Sequence, residues 1–186
     1  MCSLKNCAVK KIDIVPQFLG DLLRKREETM KVIYYSWEES IQDLHELVRQ
    51  MTVDRFSPQV IVGISRGGLP PAVMLSAYFD IPLKPLKSSL RHFPQWEEYM
   101  PRPTDREILI VDDICDSGAT FTRIREDILR NTKVKEGPVV RFASLYSNAD
   151  QDFTPDYYVR ELNQNQQQVW IEFPWKVWWK TGMRLL

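Results

Sequence analysis

The sequence predicts a single α/β domain built on a twisted, mostly parallel sheet with helices on both faces. Three observations carry that expectation. The chain has 186 residues, enough for one domain with a substantial core. Its strand-like runs, such as Val60-Ile61-Val62 and Ile108-Leu109-Ile110-Val111, are apolar without alternation and rich in β-branched residues, as strands covered on both faces are. Two of these runs pass through a short loop of small residues straight into a helix-like stretch, the repeating unit of parallel α/β sheets.

In chain order, residues 1–31 mix charged and apolar residues without a motif and read as an N-terminal extension. Phe18, Leu19, Leu22 and Leu23 could form one face of a short helix there. Val32-Ile33-Tyr34-Tyr35 predicts a strand that opens the domain proper, residues 32–186. Ser36 and Glu39 then make a capping box, and Ile41, Leu44, Leu47 and Val48 follow at helical spacing, which predicts a helix over 37–51. His45 in that helix reads as a surface residue. Residues 59–64 predict the next strand. It enters Ser65-Arg66-Gly67-Gly68, a loop suited to anions, and then a helix over 72–79 preceded by Pro70 and Pro71. Residues 81–89 predict another strand. Residues 90–106 hold three prolines and many charges with no periodicity, and read as a long loop. A strand at 108–111, a helix over 120–130 and strands at 138–146 and 156–159 complete a core of about 32–160. Residues 163–168 are Asn and Gln and predict a surface loop. Trp170, Trp175, Trp178 and Trp179 form an aromatic cluster suited to packing or to a subunit interface.

The densest chemistry lies in residues 107–125, EILIVDDICDSGATFTRIR. The apolar strand is expected to end at Asp112 and Asp113, and a loop of small residues then enters the helix. Such a loop leaves backbone N–H groups unpaired, and with the helix dipole they bind a phosphate. Ser117 and Thr120 add hydroxyls, and Gly118 lets the backbone approach a ligand. Two carboxylates at the carboxyl end of a strand lie where open α/β sheets keep their ligands. They could hold Mg²⁺, which prefers oxygen donors, or bind sugar hydroxyls. Asp116 stands between phosphate and sugar, where a proton-transferring group would be useful.

Composition narrows the partners. Lys plus Arg and Asp plus Glu each total 25, so the net charge is zero and nothing calls for nucleic acid. No apolar run is long enough to insert stably in a bilayer, and the N-terminus lacks the apolar core of a signal peptide. Three cysteines make no disulfide framework. Cys2 and Cys7 have no Cys/His pair following at metal-binding spacing, so free thiols in a reducing cytoplasm are expected. Cys115 fills an apolar slot and reads as packing.

The run Ile110-Val111-Asp112-Asp113-Ile114-Cys115-Asp116-Ser117-Gly118-Ala119-Thr120 closely resembles the phosphoribosyl-diphosphate (PRPP) signature of type I phosphoribosyltransferases. The string Trp170-Ile171-Glu172-Phe173-Pro174-Trp175 resembles bacterial and archaeal xanthine-guanine and hypoxanthine phosphoribosyltransferases. The resemblance spans roughly 32–176, and is strongest at 61–71, 107–123 and 169–175. It implies that fold, with a small C-terminal hood over the carboxyl ends of the strands at about 161–186. It also implies transfer of 5-phosphoribose from PRPP to a 6-oxopurine in purine salvage, with Mg²⁺, in a homodimer or homotetramer.

By the same resemblance Ser117, Gly118, Ala119 and Thr120 hold the 5′-phosphate, and Asp112 and Asp113 bind the ribose and the metal shell. Ser65, Arg66 and Gly67 bind pyrophosphate, with a cis peptide at Ser65–Arg66. Asp116 is the catalytic carboxylate. Trp170 stacks on the base, and backbone groups at Ile171 read its edge. Residues 90–106 resemble the family's closing loop. Two positions depart from the pattern. The lysine that usually donates to the purine 6-oxo group is replaced by Ser147 or Asn148, and the acid usual after Pro-Trp is Lys176. Those departures keep two alternatives open: a PRPP- or nucleotide-sensing regulator on the same fold, and a transferase for a non-purine acceptor.

Overall fold

A computed structural model describes residues 30–87, 106–131, 138–166 and 168–182, without the side chains of 131 and 179–182. The expected extension, apart from Met30 and Lys31, lies outside the described residues, with Cys2 and Cys7. So does the expected closing loop apart from Arg106. The described elements are β1 (Lys31–Tyr34), α1 (Trp37–Val53), β2 (Val60–Ser65), α2 (Leu69–Phe79), β3 (Leu83–Lys87), β4 (Glu107–Cys115), α3 (Ala119–Asn131), β5 (Val139–Asn148), β6 (Tyr157–Leu162), β7 (Val169–Glu172) and α4 (Pro174–Gly182).

Five strands form one sheet in the order β3-β2-β4-β5-β6, and every pairing is parallel. The continuous apolar runs now have a reason, because alternate side chains feed two cores. Ile61, Leu109, Val111, Ala143 and Leu145 face Leu44, Leu47 and Met51 of α1 and Ala72 and Leu75 of α2. Val62, Ile64, Ile108, Ile110 and Phe142 face Phe121, Ile124 and Ile128 of α3. Helices therefore cover both faces, as the sequence predicts.

The capping box of α1 is present. Glu39 N–H donates to Ser36 Oγ at 3.0 Å, and Ser36 N–H donates to Glu39 Oε2 at 2.8 Å. One turn on, Asp43 is buried and paired. Arg160 of β6 reaches it through Nε at 2.6 Å and reaches Glu39 at 3.0 Å, while the Tyr35 hydroxyl donates to Asp43 at 2.7 Å. This network pins α1 to the sheet edge. No motif announces it, since its members come from three segments.

Three boundaries differ from the expectation in ways that matter. β4 does not stop at the acidic pair but runs on to Cys115, because Asp112, Ile114 and Cys115 all keep partners on β5. β6 runs to Leu162, so the main sheet extends past residue 160. The hood is not purely C-terminal. β7 pairs in parallel with β1, from Lys31↔Val169 to Tyr34↔Glu172. A four-residue strand has ladder groups to satisfy, and the segment just before α1 supplies the partner. Tyr35, Phe173 and Trp175 then fasten the hood to the core. Tyr35 meets Tyr146 edge-on at 5.6 Å and Phe173 at 5.3 Å, and Trp175 stacks on Phe173 at 5.0 Å.

Candidate active site

Two loops converge on the carboxyl end of β4. The first is the bend at Asp116, Ser117 and Gly118 between β4 and α3. Gly118 is required there on two counts. Its φ is +68°, and a Cβ would stand 2.7 Å from Cβ of Phe153. The bend walls a cavity of about 140 Å³ lined by Asp112, Asp116, Ser117, Gly118 and Thr120 among others. The first turn of α3 opens toward it, so unpaired N–H groups and the positive helix end favour an anion. Ser117 Oγ accepts only a long contact, 3.4 Å, from Ala119 N–H, which leaves the hydroxyl easily redirected to a ligand.

The second loop follows β2. The Ser65–Arg66 peptide is cis, at the position the resemblance implies. Arg66 is exposed and Gly67 lies directly on Asp113, where a Cβ would come to 2.5 Å from both carboxylate oxygens. Gly68 is as tightly held, because its Cβ would strike the Val111 carbonyl and Asp112 Cα. The glycines thus serve close approach to β4 as well as the anion loop that the sequence predicts. Beyond them opens a cavity of about 500 Å³ lined by Arg66, Gly67, Pro70, Trp175 and Lys176.

Asp112 and Asp113 sit between the two cavities. They are neighbours in one strand and stay close, with Asp112 Oδ1 accepting from the Asp113 N–H at 2.9 Å. Asp112 lines the phosphate-sized cavity, and Asp113, 2 % exposed, lies under Gly67. Burial first, and the neighbouring Asp113 carboxylate second, push the Asp112 carboxyl well above the usual range, against the opposing pull of the Asp113 N–H and Lys176. Lys176 Nζ lies 2.5 Å from Asp113 Oδ2, off the line of a hydrogen bond, so the contact is an ion pair. Among the described residues no group of three or more His, Cys, Asp or Glu side chains could hold a metal. One carboxylate of the pair, Asp113, already faces an ammonium, which leaves less negative charge there for a divalent ion.

Asp116 is exposed, and its Oδ1 accepts from Asn148 Nδ2 at 3.3 Å. Asn148 is buried and its orientation is fixed by the chain. Its Oδ1 accepts from the N–H groups of Asp150 at 3.2 Å and Gln164 at 3.5 Å, so the amino side must face Asp116. Ser147 is also buried. Trp170 is 55 % exposed on the hood face that carries Val32 and Tyr34, and it lines neither cavity, while Ile171 is buried in the core. Cys115 is buried, its Sγ donates to the Phe153 carbonyl at 3.7 Å, and burial pushes its thiol up to about 11. It packs as expected.

A parallel α/β sheet with two anion-suited loops at one strand end defines a protein that handles a phosphorylated ligand. Residues 32–181 match the phosphoribosyl transferase domain, and the chain belongs to that family. A xanthine-guanine phosphoribosyltransferase of Cereibacter sphaeroides is 28 % identical over 167 residues, covering 82 % of this chain and 92 % of that one. A purine phosphoribosyltransferase structure from Pyrococcus horikoshii is 30 % identical, with a TM-score of 0.60, covering 78 % of this chain and 95 % of that one. The Helicobacter pylori xanthine-guanine-hypoxanthine phosphoribosyltransferase shares the fold, with a TM-score of 0.71 at 22 % identity, covering 82 % of this chain and 99 % of that one. Among the described residues no helix is long and apolar enough to cross a membrane.

Proposed function

We propose that this chain transfers the 5-phosphoribosyl group of PRPP to a 6-oxopurine, releasing pyrophosphate. The observation that carries this reading is the convergence of two anion loops on one acidic strand end, with Gly67 seated on Asp113 and Asp112 lining the cavity at Gly118. The names of its relatives support the purine class.

In this reading the α3 loop holds the 5′-phosphate, and Asp112, which lines the same cavity, meets the ribose hydroxyls. The loop at Ser65, Arg66 and Gly67 holds the diphosphate. The bond from the ribose carbon to the diphosphate oxygen breaks as the bond to the base nitrogen forms. Asp116 takes the proton from that nitrogen, and the diphosphate leaves with the electron pair of the broken bond. Enzymes of this family generally take Mg²⁺ in with PRPP, held by phosphate oxygens and at most one or two carboxylates. Asn148 acts on the base through Asp116, toward which its amide is held.

The fixed amide of Asn148 is the one observation that favours the second reading, a sensor that binds PRPP without turnover, because it removes the charged base donor. Pyrophosphate release from PRPP, followed with guanine, xanthine, hypoxanthine and adenine, separates the two. Release with the oxopurines supports the transferase. PRPP binding with no release for any base supports the sensor.

A further inference from the structure

Lys176 stands where a cation is out of place locally. It is the third residue of α4, and the first turn of a helix repels positive charge. Its backbone N–H is fixed by the Phe173 carbonyl at 2.9 Å. Its stem passes the Phe173 ring, with Nζ 4.9 Å from the centroid, and the ammonium ends on Asp113. The half of Lys176 that remains exposed lines the 500 Å³ cavity together with Arg66, also exposed, and Gly67. Trp175, beside it, has an indole N–H that is buried and without a partner. Asp113 alone would place a buried negative charge under the loop expected to receive an anion. With Lys176 in place that charge is neutralised, and the rim of the cavity carries two cations, Arg66 and Lys176, and no exposed carboxylate among its lining residues.

We propose that Lys176 is a built-in cation of the diphosphate site: its ammonium neutralises Asp113 and, with Arg66, holds the diphosphate so that binding at this corner needs no divalent ion. The proposal rests on the phosphoribosyl-transfer reading for the identity of the ligand, but it concerns binding, which is measured without turnover. The diphosphate group is common to free pyrophosphate and PRPP, so both serve as probes, with orthophosphate as the control.

The test is isothermal titration of the full chain with pyrophosphate in the presence of EDTA, for wild type, Lys176→Ala and Lys176→Arg. Wild type is expected to bind pyrophosphate without metal and more tightly than orthophosphate. Lys176→Ala is expected to weaken it about 10- to 100-fold, the scale of one charge-assisted contact. Lys176→Arg should stay within a few-fold of wild type, which also guards against an effect of misfolding. PRPP in EDTA should follow the same order if the site serves the diphosphate of the substrate. Equal affinity of wild type and Lys176→Ala overturns the proposal, as does a wild type that binds pyrophosphate only with Mg²⁺. If wild type binds pyrophosphate as expected and yet transfers ribose phosphate to no base, the clamp stands and the transferase reading falls.

Discussion

The phosphate end and the base end of this site are built in different ways. The phosphate end is one continuous stretch: β4, a three-residue bend and the first turn of α3. Strand, glycine and helix start are neighbours in sequence, although Phe153 packs against Gly118 from outside the stretch. The base end is assembled from β1, β5, the turn at Gln164, β7 and α4, and each piece depends on distant partners. In the assembled end a single residue acts on partners far away in sequence, as Asn148 does on Asp116 and Gln164. Both departures from the family pattern, Asn148 and Lys176, come from elements outside that continuous stretch, β5 and α4.

The largest effect should come from breaking the junction of the halves. Asp116→Asn keeps the shape but removes basicity, and turnover should fall on the order of 10²–10³ with PRPP affinity unchanged. Steady-state kinetics beside a PRPP titration checks this, and near-normal turnover would remove Asp116 from its role. The next effect is on stability. Arg160→Ala leaves Asp43, whose side chain is 9 % exposed, without its cation, and unfolding free energy should drop by about 1–3 kcal/mol, less than for a fully buried pair because Arg160 is itself partly exposed. A urea melt in which Arg160→Ala matches wild type would show that the network does not hold α1.

Selectivity offers a smaller but sharper probe of the assembled half. Asn148→Lys restores a charged donor, and the preference for oxopurines over adenine should widen by about tenfold, the worth of a charge-assisted hydrogen bond over a neutral one. An unchanged ratio would mean that residue 148 serves Asp116 alone. The smallest effect concerns acid. The backbone N–H of Ser36, then Arg160, hold Glu39 below the usual carboxylate range. A depressed folded value contributes stability that is present above the unfolded pKa, about 4.3, and is lost as pH falls through the folded value. Glu39→Gln should therefore flatten the stability loss below pH 4 by well under 1 kcal/mol, since the group is exposed. An acid titration identical to wild type would contradict that.

How much of this could be read from the sequence follows the same division. The bend at Asp116–Gly118 and the capping box at Ser36 were legible because neighbours in sequence determine them, whereas the cis peptide at Ser65–Arg66 was implied only by the family resemblance. The extension of β4 past the acidic pair was not, because carboxylates are poor strand residues and only pairing with β5 keeps them in the ladder. The pairing of β1 with β7, and the Tyr35–Asp43–Arg160 network, join residues more than a hundred positions apart and leave no local signal. Lys176 could be seen as a departure, but only the fold brings it onto Asp113.

A single-turnover experiment tests the central claim most directly. Wild-type protein saturated with PRPP is mixed with guanine, and the products are weighed by mass spectrometry. The account predicts guanosine 5′-monophosphate and pyrophosphate in equal amounts. PRPP recovered intact, or broken down to ribose 5-phosphate with no bond to the base, would contradict it.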